Sequence, residues 1–566
     1  MTAVLATNIL SPLGYTTEQN YLALKAGRSA LRSIPQYKGL PDTVTASVFD
    51  DAQTVELHVE GFTRFESLVI RSVKEALLHA DVDVAGERTV FILSTTKANV
   101  EELSPEASAD GAYLAPGETA AKIAAYLGFA TKPIVVCNAC ISGVAAQMLA
   151  KNLLDAGIYD TAVVCGADCV TPFTIAGFMS FKALSPMECR PFDIERLGLN
   201  LGECAATMVM GRTDAANADC WCLQRGCLNN DAYHISAPSP GGEGVYRAMM
   251  NTIQGTDIND LALVCVHGTA TMFNDQMESK AIEHAGLSKL PVSALKGYYG
   301  HTLGAAGVLE TVITMRALDD GCILPCRGFA EIGVSGKVNI SPDERSTDKR
   351  SFLKIISGFG GCNGAVLYSK TADDKAPEHA TASYETLHSV RISQSSLQID
   401  GQSVPVQASG KALLTEIYKT HIADSPKFYK MDMLGRLVFA ASQLLIGRMQ
   451  GADLSNTAVV LFNCNSSVLA DRQHLATICR SDNFFPSPSV FVYTLPNIAT
   501  GEVAIKNGCK AETSLYILDG RDEAAMKTVI DATVAATDAD MMICGWADCS
   551  AEDCFEAQME IITITR

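Results

Sequence analysis

The stretch Pro133-Ile134-Val135-Val136-Cys137-Asn138-Ala139-Cys140-Ile141-Ser142-Gly143 decides how the rest of the chain is interpreted. Its apolar run, its small residues around a cysteine and the helix-forming segment from Val144 to Leu154 predict a strand, a tight turn and a helix. Cys140 lies in the turn, where free backbone N–H groups and the positive end of the helix dipole favour a thiolate nucleophile. The alternative is a buried structural cysteine, because the chain contains 19 cysteines.

Length and composition define the class of protein. A chain of 566 residues is too long for one ordinary domain, so two or more units are expected. Hydrophobic residues make up 48% of the chain and charged residues 19%, which fits a soluble α/β protein. No apolar run is long enough to span a bilayer and the N-terminus lacks the pattern of a secretory signal, which predicts a cytoplasmic protein.

The net charge and the cysteine pattern argue against a nucleic-acid-binding protein and against a disulfide-rich one. The formal net charge of −19 argues against nucleic-acid binding. The cysteines are scattered through apolar segments, which indicates reduced thiols rather than a disulfide framework. Cys137 and Cys140 form a C-x-x-C pair, but no second pair lies at zinc-site spacing, so a redox or metal role is the weaker alternative.

Apolar strands alternate with helical segments over the first 370 residues, which predicts a mainly parallel sheet covered on both faces. Three further turns near predicted strand or helix ends are rich in glycine, histidine or lysine, at 267–271, 296–307 and 357–364. Ligands bind at the carboxyl ends of parallel strands, so these turns can converge on the Cys140 turn. Taken singly, a histidine in such a turn is more often structural.

Six sequence blocks occur in a fixed order along this region. They are N-A-C-I-S-G at 138–143, R-P-F-D-x-x-R-x-G-x-x-x-G-E at 190–203, N-D-A-Y-H at 230–234, H-G-T-A-T-x-x-N-D at 267–275, K-G-Y-Y-G-H-T-x-G-A-A-G at 296–307 and G-F-G-G-C-N-G at 358–364. Through these blocks, residues 1–370 resemble the β-ketoacyl-acyl carrier protein synthases of the elongating type, in the thiolase-like superfamily. The resemblance implies an α/β fold with αβαβα layers.

The resemblance also implies how the reaction runs. Cys140 takes an acyl group from the carrier protein as a thioester, and a malonyl thioester then loses CO2 to give an enolate that attacks the acyl carbonyl. His267 and His301 donate Nε2–H bonds to the enolate oxygen. The backbone N–H groups of Cys140 and Phe359 form the oxyanion hole, and Phe359 also matches a gate in the acyl channel.

Four more residues receive supporting roles from the resemblance. Lys296 organises His267 and the charge of the site, with Glu310 as a supporting acid. Thr269 and Thr271 match positions that hydrogen-bond the pantetheine arm. Neither a metal nor a resident cofactor is implied, because the phosphopantetheine arrives on the carrier protein.

Alternatives within and outside the family lead to different functions. Chain-initiating synthases and thiolases use Cys-His-Asn or Cys-His-Cys sets, whereas two histidine turns and Lys296 favour the elongating class. A non-catalytic chain-length or scaffold subunit, which partners another synthase, is the alternative from a different class; such subunits lack the cysteine that this chain has at Cys140. The sequence therefore predicts a condensing enzyme of fatty-acid-like, polyketide or polyene biosynthesis. We expect an acyl carrier protein as partner, and a homodimer or a heterodimer with another synthase-like subunit.

The sequence departs from the family pattern in two places. Gly297 follows the lysine where the family commonly has serine, and Tyr298-Tyr299 comes next. Only four residues separate Ser185 from Arg190, in a segment that lies near the carrier-protein entrance in relatives, so the docking surface stays open. Five basic residues are candidates for a local docking patch, with solvated surface as the alternative: Arg64, Arg71, Lys74, Lys182 and Arg190.

The second part of the chain repeats blocks of the first. Val163 to Cys169 (VVCGADC) is echoed at 542–549 (MICGWADC), and twelve residues after Gly128 comes Cys140, whereas twelve after Gly508 comes Gly520. Glycine cannot attack a thioester, and this part has no counterpart of either histidine turn. We therefore expect residues 1–370 to form the synthase, 371–387 a linker, and 388–566 a non-catalytic half-synthase domain that is structural or sets chain length. An unrelated α/β appendage is the alternative.

Overall fold

The computed structural model describes residues 1–106, 111–213, 220–370, 382–449, 451–479 and 484–566. Within these residues, no helix combines the length and the apolar character that crossing a bilayer requires.

The strands and helices follow the predicted alternation. The strands are β1 (Thr2–Leu10), β2 (Leu31–Ile34), β3 (Val44–Ser47), β4 (Thr89–Ser94), β5 (Ile134–Val136), β6 (Thr161–Asp168), β7 (Leu201–Gly202), β8 (Cys204–Arg212), β9 (Cys222–Asn230), β10 (Leu263–Cys265), β11 (Pro291–Ser293), β12 (Cys322–Ile323), β13 (Asn339–Ile340), β14 (Arg345–Ser346), β15 (Ser351–Ser357), β16 (Cys362–Ser369), β17 (Ser383–Ile392), β18 (Leu397–Ile399), β19 (Gln402–Val404), β20 (Thr457–Asn463), β21 (Thr513–Ile517), β22 (Met541–Ala551) and β23 (Cys554–Thr565). The α-helices are α1 (Thr17–Lys25), α2 (Asp51–Leu57), α3 (Arg64–Leu77), α4 (Pro116–Leu127), α5 (Ser142–Asp155), α6 (Pro172–Ser180), α7 (Glu243–Thr252), α8 (Met272–His284), α9 (Lys296–Tyr299), α10 (Ala306–Asp319), α11 (Lys411–Ile417), α12 (Met433–Ile446), α13 (Val468–Ala476), α14 (Pro488–Phe491), α15 (Ile498–Asn507) and α16 (Glu523–Ala536).

Two sheets and three helix layers form the first 370 residues. The first sheet has the order β5-β4-β6-β8-β1, parallel from β5 to β6 and antiparallel beyond. The second has the order β9-β16-β15-β10-β11-β13. Helices α5 and α10 contact both sheets from between them, whereas α3 and α7 cover the outer faces. These are the αβαβα layers expected of the thiolase-like fold, and they place α5, which follows Cys140, at the centre of the molecule.

The C-terminal part repeats the first sheet. Its strands follow the order β21-β20-β22-β23-β17, parallel from β21 to β22 and antiparallel beyond. These are the same chain order, spatial order and strand directions as in β5-β4-β6-β8-β1. Helices α12 and α15 pack together on this sheet, and α16 packs against α5. The C-terminal part therefore has the α/β half-fold that the sequence echo predicts.

The two parts join edge to edge through β5 and β21. The strands are antiparallel, with Tyr516 opposite Val136 and Ile517 opposite Val135. Val136 lies eight residues after Gly128, and Tyr516 lies eight residues after Gly508. Equivalent positions of the two halves thus meet, which is the arrangement of a local twofold axis. One sheet continues through both halves, with the nucleophile strand at its centre.

The predicted linker needs one correction. Residues 371–381 of that segment lie outside the described residues. Residues 383–387, however, belong to β17, which pairs with β23 along most of its length. The buried positions of β17, Val390 and Ile392, lie at its C-terminal end, whereas residues 383–387 are exposed and include three polar residues, so this edge-strand segment resembles a linker in sequence. The boundaries of the predicted domains otherwise stay a prediction.

A buried ion pair fastens the two halves beside this seam. Lys97, in the loop after β4, donates to Asp471 Oδ1 of α13 at 2.6 Å and to the carbonyl of Thr494. Both charged side chains are about 95% buried. Burial raises the pKa of the Asp471 carboxyl, and the ammonium of Lys97 opposes that shift. The charges stabilise the interface only as a pair, because each alone would be a desolvated ion.

We expect Asp471→Leu to lower the free energy of unfolding by about 3–5 kcal/mol, because it leaves the Lys97 charge buried without its partner. The double variant Lys97→Met with Asp471→Leu removes both charges and should recover most of that loss. Urea denaturation of the full chain measures both values. An Asp471→Leu variant as stable as the wild type would contradict this account of the interface.

Candidate active site

The four predicted turns converge on one cavity of about 310 Å³. Six of the eight predicted site residues line it: Cys140, His267, His301, Thr269, Thr271 and Phe359. The other two, Lys296 and Glu310, lie directly behind the histidines and are buried. The structure therefore brings the whole predicted set together. The roles assigned to these residues remain predictions.

Cys140 is held in a turn between β5 and α5. Ala139, immediately before it, has φ +48° and is fully buried. A left-handed alanine is strained, and such strain persists only where the surroundings fix it. Asn138 N–H donates to Ser142 Oγ at 2.8 Å, and the Ser142 hydroxyl donates back to the Ala139 carbonyl at 2.6 Å. These bonds close the turn around the thiol.

The predicted thiolate is wrong for the resting site. Burial raises the pKa of the Cys140 thiol to about 12, and this effect outweighs the opposing contributions of Lys296 and of the N–H groups of Cys140 and Phe359. The backbone N–H groups of the turn lower the pKa, as expected, but the cost of burying an anion is larger. Cys140 is a protonated thiol at neutral pH, so it loses its proton as it reacts.

Both histidines have a defined tautomer. Lys296 Nζ lies 3.1 Å from His267 Nδ1, and the backbone N–H of Leu303 lies 3.3 Å from His301 Nδ1. A nitrogen that accepts a bond carries no proton, so each neutral ring is protonated at Nε2. His301 Nε2 lies 3.0 Å from Cys140 Sγ, and the two rings meet edge to face with centroids 5.0 Å apart.

The histidines are held neutral. Burial lowers the pKa of His267 well below the usual value, and Lys296 and His301 lower it further. The pKa of His301 is lowered in the same way by burial, Lys296 and Lys354. Two neutral rings with inward Nε2–H groups can donate to an oxygen that develops negative charge.

A lysine that the sequence analysis missed completes the charge arrangement. Glu310 accepts from Lys296 at 2.6 Å and from Lys354 at 2.5 Å, and all three side chains are buried. Lys354 also donates to the carbonyl of Val266, just before His267. Lys354 could have been found from the sequence as a lysine inside the apolar strand Phe352–Ile356, because burying a charge there costs stability unless it is paired. One carboxylate thus serves two ammonium groups.

Buried carboxylates also hold the turns in place. Glu278 accepts from the N–H groups of His267 and Gly268 at 2.7 and 2.8 Å, and burial raises its pKa to about 7. Asp168, at the end of β6, accepts from the N–H groups of Thr96 and Gly304 at 2.9 and 2.7 Å. Each carboxylate fixes the backbone around it by accepting at least two main-chain donors, and the single sequence blocks do not indicate this role.

Among the described residues, one cluster of side chains has the donor atoms that a metal ion needs. In the part of the chain that the structure describes, only Cys140, His267 and His301 bring three such ligand atoms together, all within 4.8 Å of one another. Cysteine and histidine are ligands that zinc prefers. The buried ammonium of Lys296, which contacts His267, disfavours a divalent cation here.

The predicted basic patch is largely engaged elsewhere. Arg64 pairs with Glu203 at 2.6 Å, and Arg190 pairs with Asp193 at 3.2 Å. Arg71 donates to backbone carbonyls of residues 56–58, and Lys74 Nζ contacts the hydroxyl of Tyr126. Most of these cations are therefore bound within the protein.

Comparison with protein families identifies the first part of the chain. Residues 2–216 match the N-terminal domain of β-ketoacyl synthases and residues 222–330 match the C-terminal domain of the same enzymes. Together these matches span more than half of the chain. The chain belongs to the β-ketoacyl synthase family.

Relatives of the family cover the same region. A putative mitochondrial 3-oxoacyl-[acyl-carrier-protein] synthase of Schizosaccharomyces pombe is 28% identical over 415 residues, which are 64% of this chain and 97% of that protein. The 3-oxoacyl-[acyl-carrier-protein] synthase 2 of Coxiella burnetii is 28% identical over 408 residues, again 64% of this chain and 97% of that protein. These relatives account for the synthase part and leave the C-terminal part unmatched.

Solved structures extend the likeness in fold to the whole chain. A β-ketoacyl synthase from Burkholderia phymatum aligns with a TM-score of 0.60 at 24% identity, over 66% of this chain and 99% of that one. The PfaC ketosynthase–chain length factor aligns with a TM-score of 0.77 at 15% identity, over 99% of this chain and 78% of that one. The C-terminal part therefore shares its fold with part of a two-unit ketosynthase structure, and the thiolase-like fold is confirmed.

We expect release of CO2 from a malonyl thioester to change little between pH 7.5 and pH 6.0, because both histidines stay neutral over this range. Glu278, with a pKa of about 7, titrates in the same range, but its carboxyl accepts the main-chain bonds of His267 and Gly268 in either protonation state. A site that depends on one histidine with the ordinary pKa of about 6.5 would lose about fourfold over the same interval. The measurement is the initial rate of CO2 release at each pH with saturating substrate. A loss of fourfold or more would contradict the lowered pKa values.

Proposed function

We propose that this protein is a β-ketoacyl-acyl carrier protein synthase that extends an acyl chain by decarboxylative condensation with malonyl-acyl carrier protein. Family membership supports the class of reaction, and the names of the relatives supply the carrier protein as the substrate carrier. The observation that carries the proposal is the placement of His301 Nε2 at 3.0 Å from Cys140 Sγ, in a cavity that His267 also lines.

In the first half-reaction Cys140 accepts the acyl group. Its sulfur bonds to the acyl carbonyl carbon, the bond from that carbon to the carrier thiol breaks, and the thiol proton of Cys140 ends on the departing carrier thiol. The carbonyl oxygen becomes negative on the way, and in this proposal the N–H groups of Cys140 and Phe359 stabilise it. Because the resting thiol is protonated, it resists unwanted reactions until a carrier docks.

In the second half-reaction a malonyl thioester loses CO2. The electron pair of the broken C–C bond forms an enolate, whose oxygen accepts from the Nε2–H groups of His267 and His301. The enolate carbon then bonds to the acyl carbonyl carbon while the bond to Cys140 sulfur breaks. The product is a β-ketoacyl thioester on the carrier, and the Cys140 thiolate that departs takes up one proton from solvent.

The histidines act in this scheme as hydrogen-bond donors rather than as bases. Their Nδ1 atoms are held by Lys296 and by the N–H of Leu303, so neither ring can offer a free lone pair to the cavity in this arrangement. Neutral donors suit an enolate, because a cationic ring would hand over its proton and quench the nucleophile.

A non-catalytic chain-length or scaffold role is the competing function. Chain length factors accompany ketosynthases in several of the solved structures of similar fold. Against that role, the first part of this chain brings the cysteine, both histidines and Lys296 close together. We propose that the scaffold role belongs to the C-terminal half, where Gly520 replaces the nucleophile.

The C-terminal half also reaches the wall of the cavity. Phe491 packs against Phe178, with ring centroids 5.6 Å apart, and its ring occupies the space beside Gly177 where a side chain would stand. Phe178 and Phe181 line the cavity itself. The C-terminal half can therefore affect acyl chain length through its contact with α6.

The pathway and the starter unit stay open between fatty-acid-like, polyketide and polyene synthesis.

The acyl carrier protein as partner and the cellular location are also proposals. We expect an acyl carrier protein to dock at the cavity mouth; a solved ketosynthase of similar fold is in complex with its acyl carrier protein. The predicted dimer and the cytoplasmic location stay predictions, and the S. pombe relative is named mitochondrial.

We expect incubation with an acyl-carrier protein to add the mass of one acyl group to the wild-type chain and none to Cys140→Ala. The matched control is Cys137→Ala, which removes a buried thiol three residues earlier and should acylate like the wild type. Intact mass spectrometry followed by peptide mapping locates the adduct. A wild-type chain that gains no acyl mass, or a Cys140→Ala variant that gains it equally, would refute the enzymatic function.

A further inference from the structure

The oxyanion loop of the synthase half lies directly against a helix of the other half. A Cβ built on Gly501, in α15, would lie 2.6 Å from the Gly360 carbonyl, and a Cβ on Gly360 would lie 2.7 Å from Asn497 Nδ2. Gly360 itself has φ +93°. Asn497 and Gly501 are four residues apart, so they share one face at the start of α15. Two glycines thus let the backbone of the loop touch this face.

One polar side chain crosses this contact. Asn497 Nδ2 donates to the carbonyl of Phe359 at 2.8 Å, and the side chain is only 2% exposed. Asn497 lies at the start of α15 with helical backbone angles, φ −66° and ψ −10°, so it does not have the extended backbone of an N-cap residue. Its side chain makes no capping bond, and Oδ1 has no hydrogen-bond partner among the described residues. A buried acceptor left unpaired costs stability.

The loop that receives this bond supplies half of the proposed oxyanion hole. The N–H of Phe359 acts on Cys140 Sγ together with the N–H of Cys140 itself. The next peptide group along the loop carries the Phe359 carbonyl that Asn497 holds, and Cys362 Sγ donates to the same carbonyl at 3.2 Å. Fixing that peptide limits rotation about Phe359, and therefore fixes the direction of its N–H.

We propose that Asn497 of the non-catalytic half is a positioning residue for the oxyanion hole of the synthase half. The inference rests on the proposed function, because it assigns Asn497 a task in acyl transfer to Cys140. Asn497 touches neither substrate nor reacting atom; it acts through the Phe359 peptide. The C-terminal half thereby takes part in the chemistry although it has no nucleophile.

The internal repeat provides a comparison within the same chain. Asn497 lies eleven residues before Gly508, and the position eleven residues before Gly128 is Gly117. Gly117 faces the end of β21 in the other half, where a Cβ would come within 2.0 Å of the Leu518 carbonyl. The half that contains Cys140 therefore contacts the amide donor of Asn497. The half that contains Gly520 instead contacts Gly117, which has no side chain.

The test separates the two half-reactions of the full chain. Asn497→Leu removes the donor and keeps the branching of the side chain, and Asn497→Ala removes it with a smaller side chain in case leucine does not fit. We expect each to slow acyl transfer to Cys140 by between about 10-fold and 100-fold, because a misdirected donor costs most of its effect. Release of CO2 from a malonyl thioester, which depends on the histidines, should stay within about twofold of the wild-type rate.

His474→Leu is the matched control. His474 Nε2, also in the C-terminal half, lies 3.0 Å from the Phe173 carbonyl, so this variant removes one cross-seam bond to a backbone carbonyl away from the oxyanion loop. A general loosening of the seam would lower both rates together in His474→Leu and in the Asn497 variants. Loss of acyl transfer alone, and only in the Asn497 variants, supports the proposal.

Two results would overturn it. One is acyl transfer at the wild-type rate in both folded Asn497 variants, and the other is a proportional fall of both half-reactions matching that of His474→Leu. A failure of the proposed function looks different, because the wild-type chain would then gain no acyl group at all.

Discussion

The pairing of β5 with β21 is the constraint on which the rest of the structure depends. The strand that leads to Cys140 is short, and one of its edges is covered only by the C-terminal half. The Leu515 carbonyl of β21 accepts from Cys137 N–H at 3.2 Å, and the Leu515 N–H donates to Asn138 Oδ1 at 2.8 Å. The strained Ala139 packs in the apolar core of the C-terminal half. The geometry of the nucleophile turn is therefore a product of both halves.

A second constraint is the number of charges buried behind the cavity. Burial lowers the pKa values of both histidines, and the ammonium groups of Lys296 and Lys354 lower them further. Burial and these two cations keep both rings neutral, with their protons directed inward. The two ammonium groups also favour the anions of the proposed reaction, because a nearby positive charge stabilises an enolate or a thiolate more than the neutral ground state. The buried charges that pair with one another therefore also act on the histidines of the site.

The sequence predicted the fold and most of the site because both depend on local patterns. Strand-turn-helix periodicity located Cys140, and ordered blocks located His267, His301 and Lys296. The echo of 163–169 at 542–549 predicted a second half-fold, which the strand order confirms. The features that the sequence did not predict depend on burial and on contacts between residues far apart in the chain. The thiolate prediction omitted burial, Lys354 owes its role to a carboxylate 44 residues away, and Asn497 contacts a loop 138 residues away. The exposed residues 383–387 form an edge strand because β23 provides the partner.

The central claim is that the two halves build one active site. The most direct measurement compares the rate of acyl transfer to Cys140 in the full chain with that in a chain that ends at Lys370. The shorter chain keeps every predicted catalytic residue but loses β21, Asn497 and the partners of Asn138. We expect the shorter chain to transfer acyl groups at least about tenfold more slowly than the full chain, or not to fold. A folded shorter chain that acylates Cys140 at the full-chain rate would contradict the central claim.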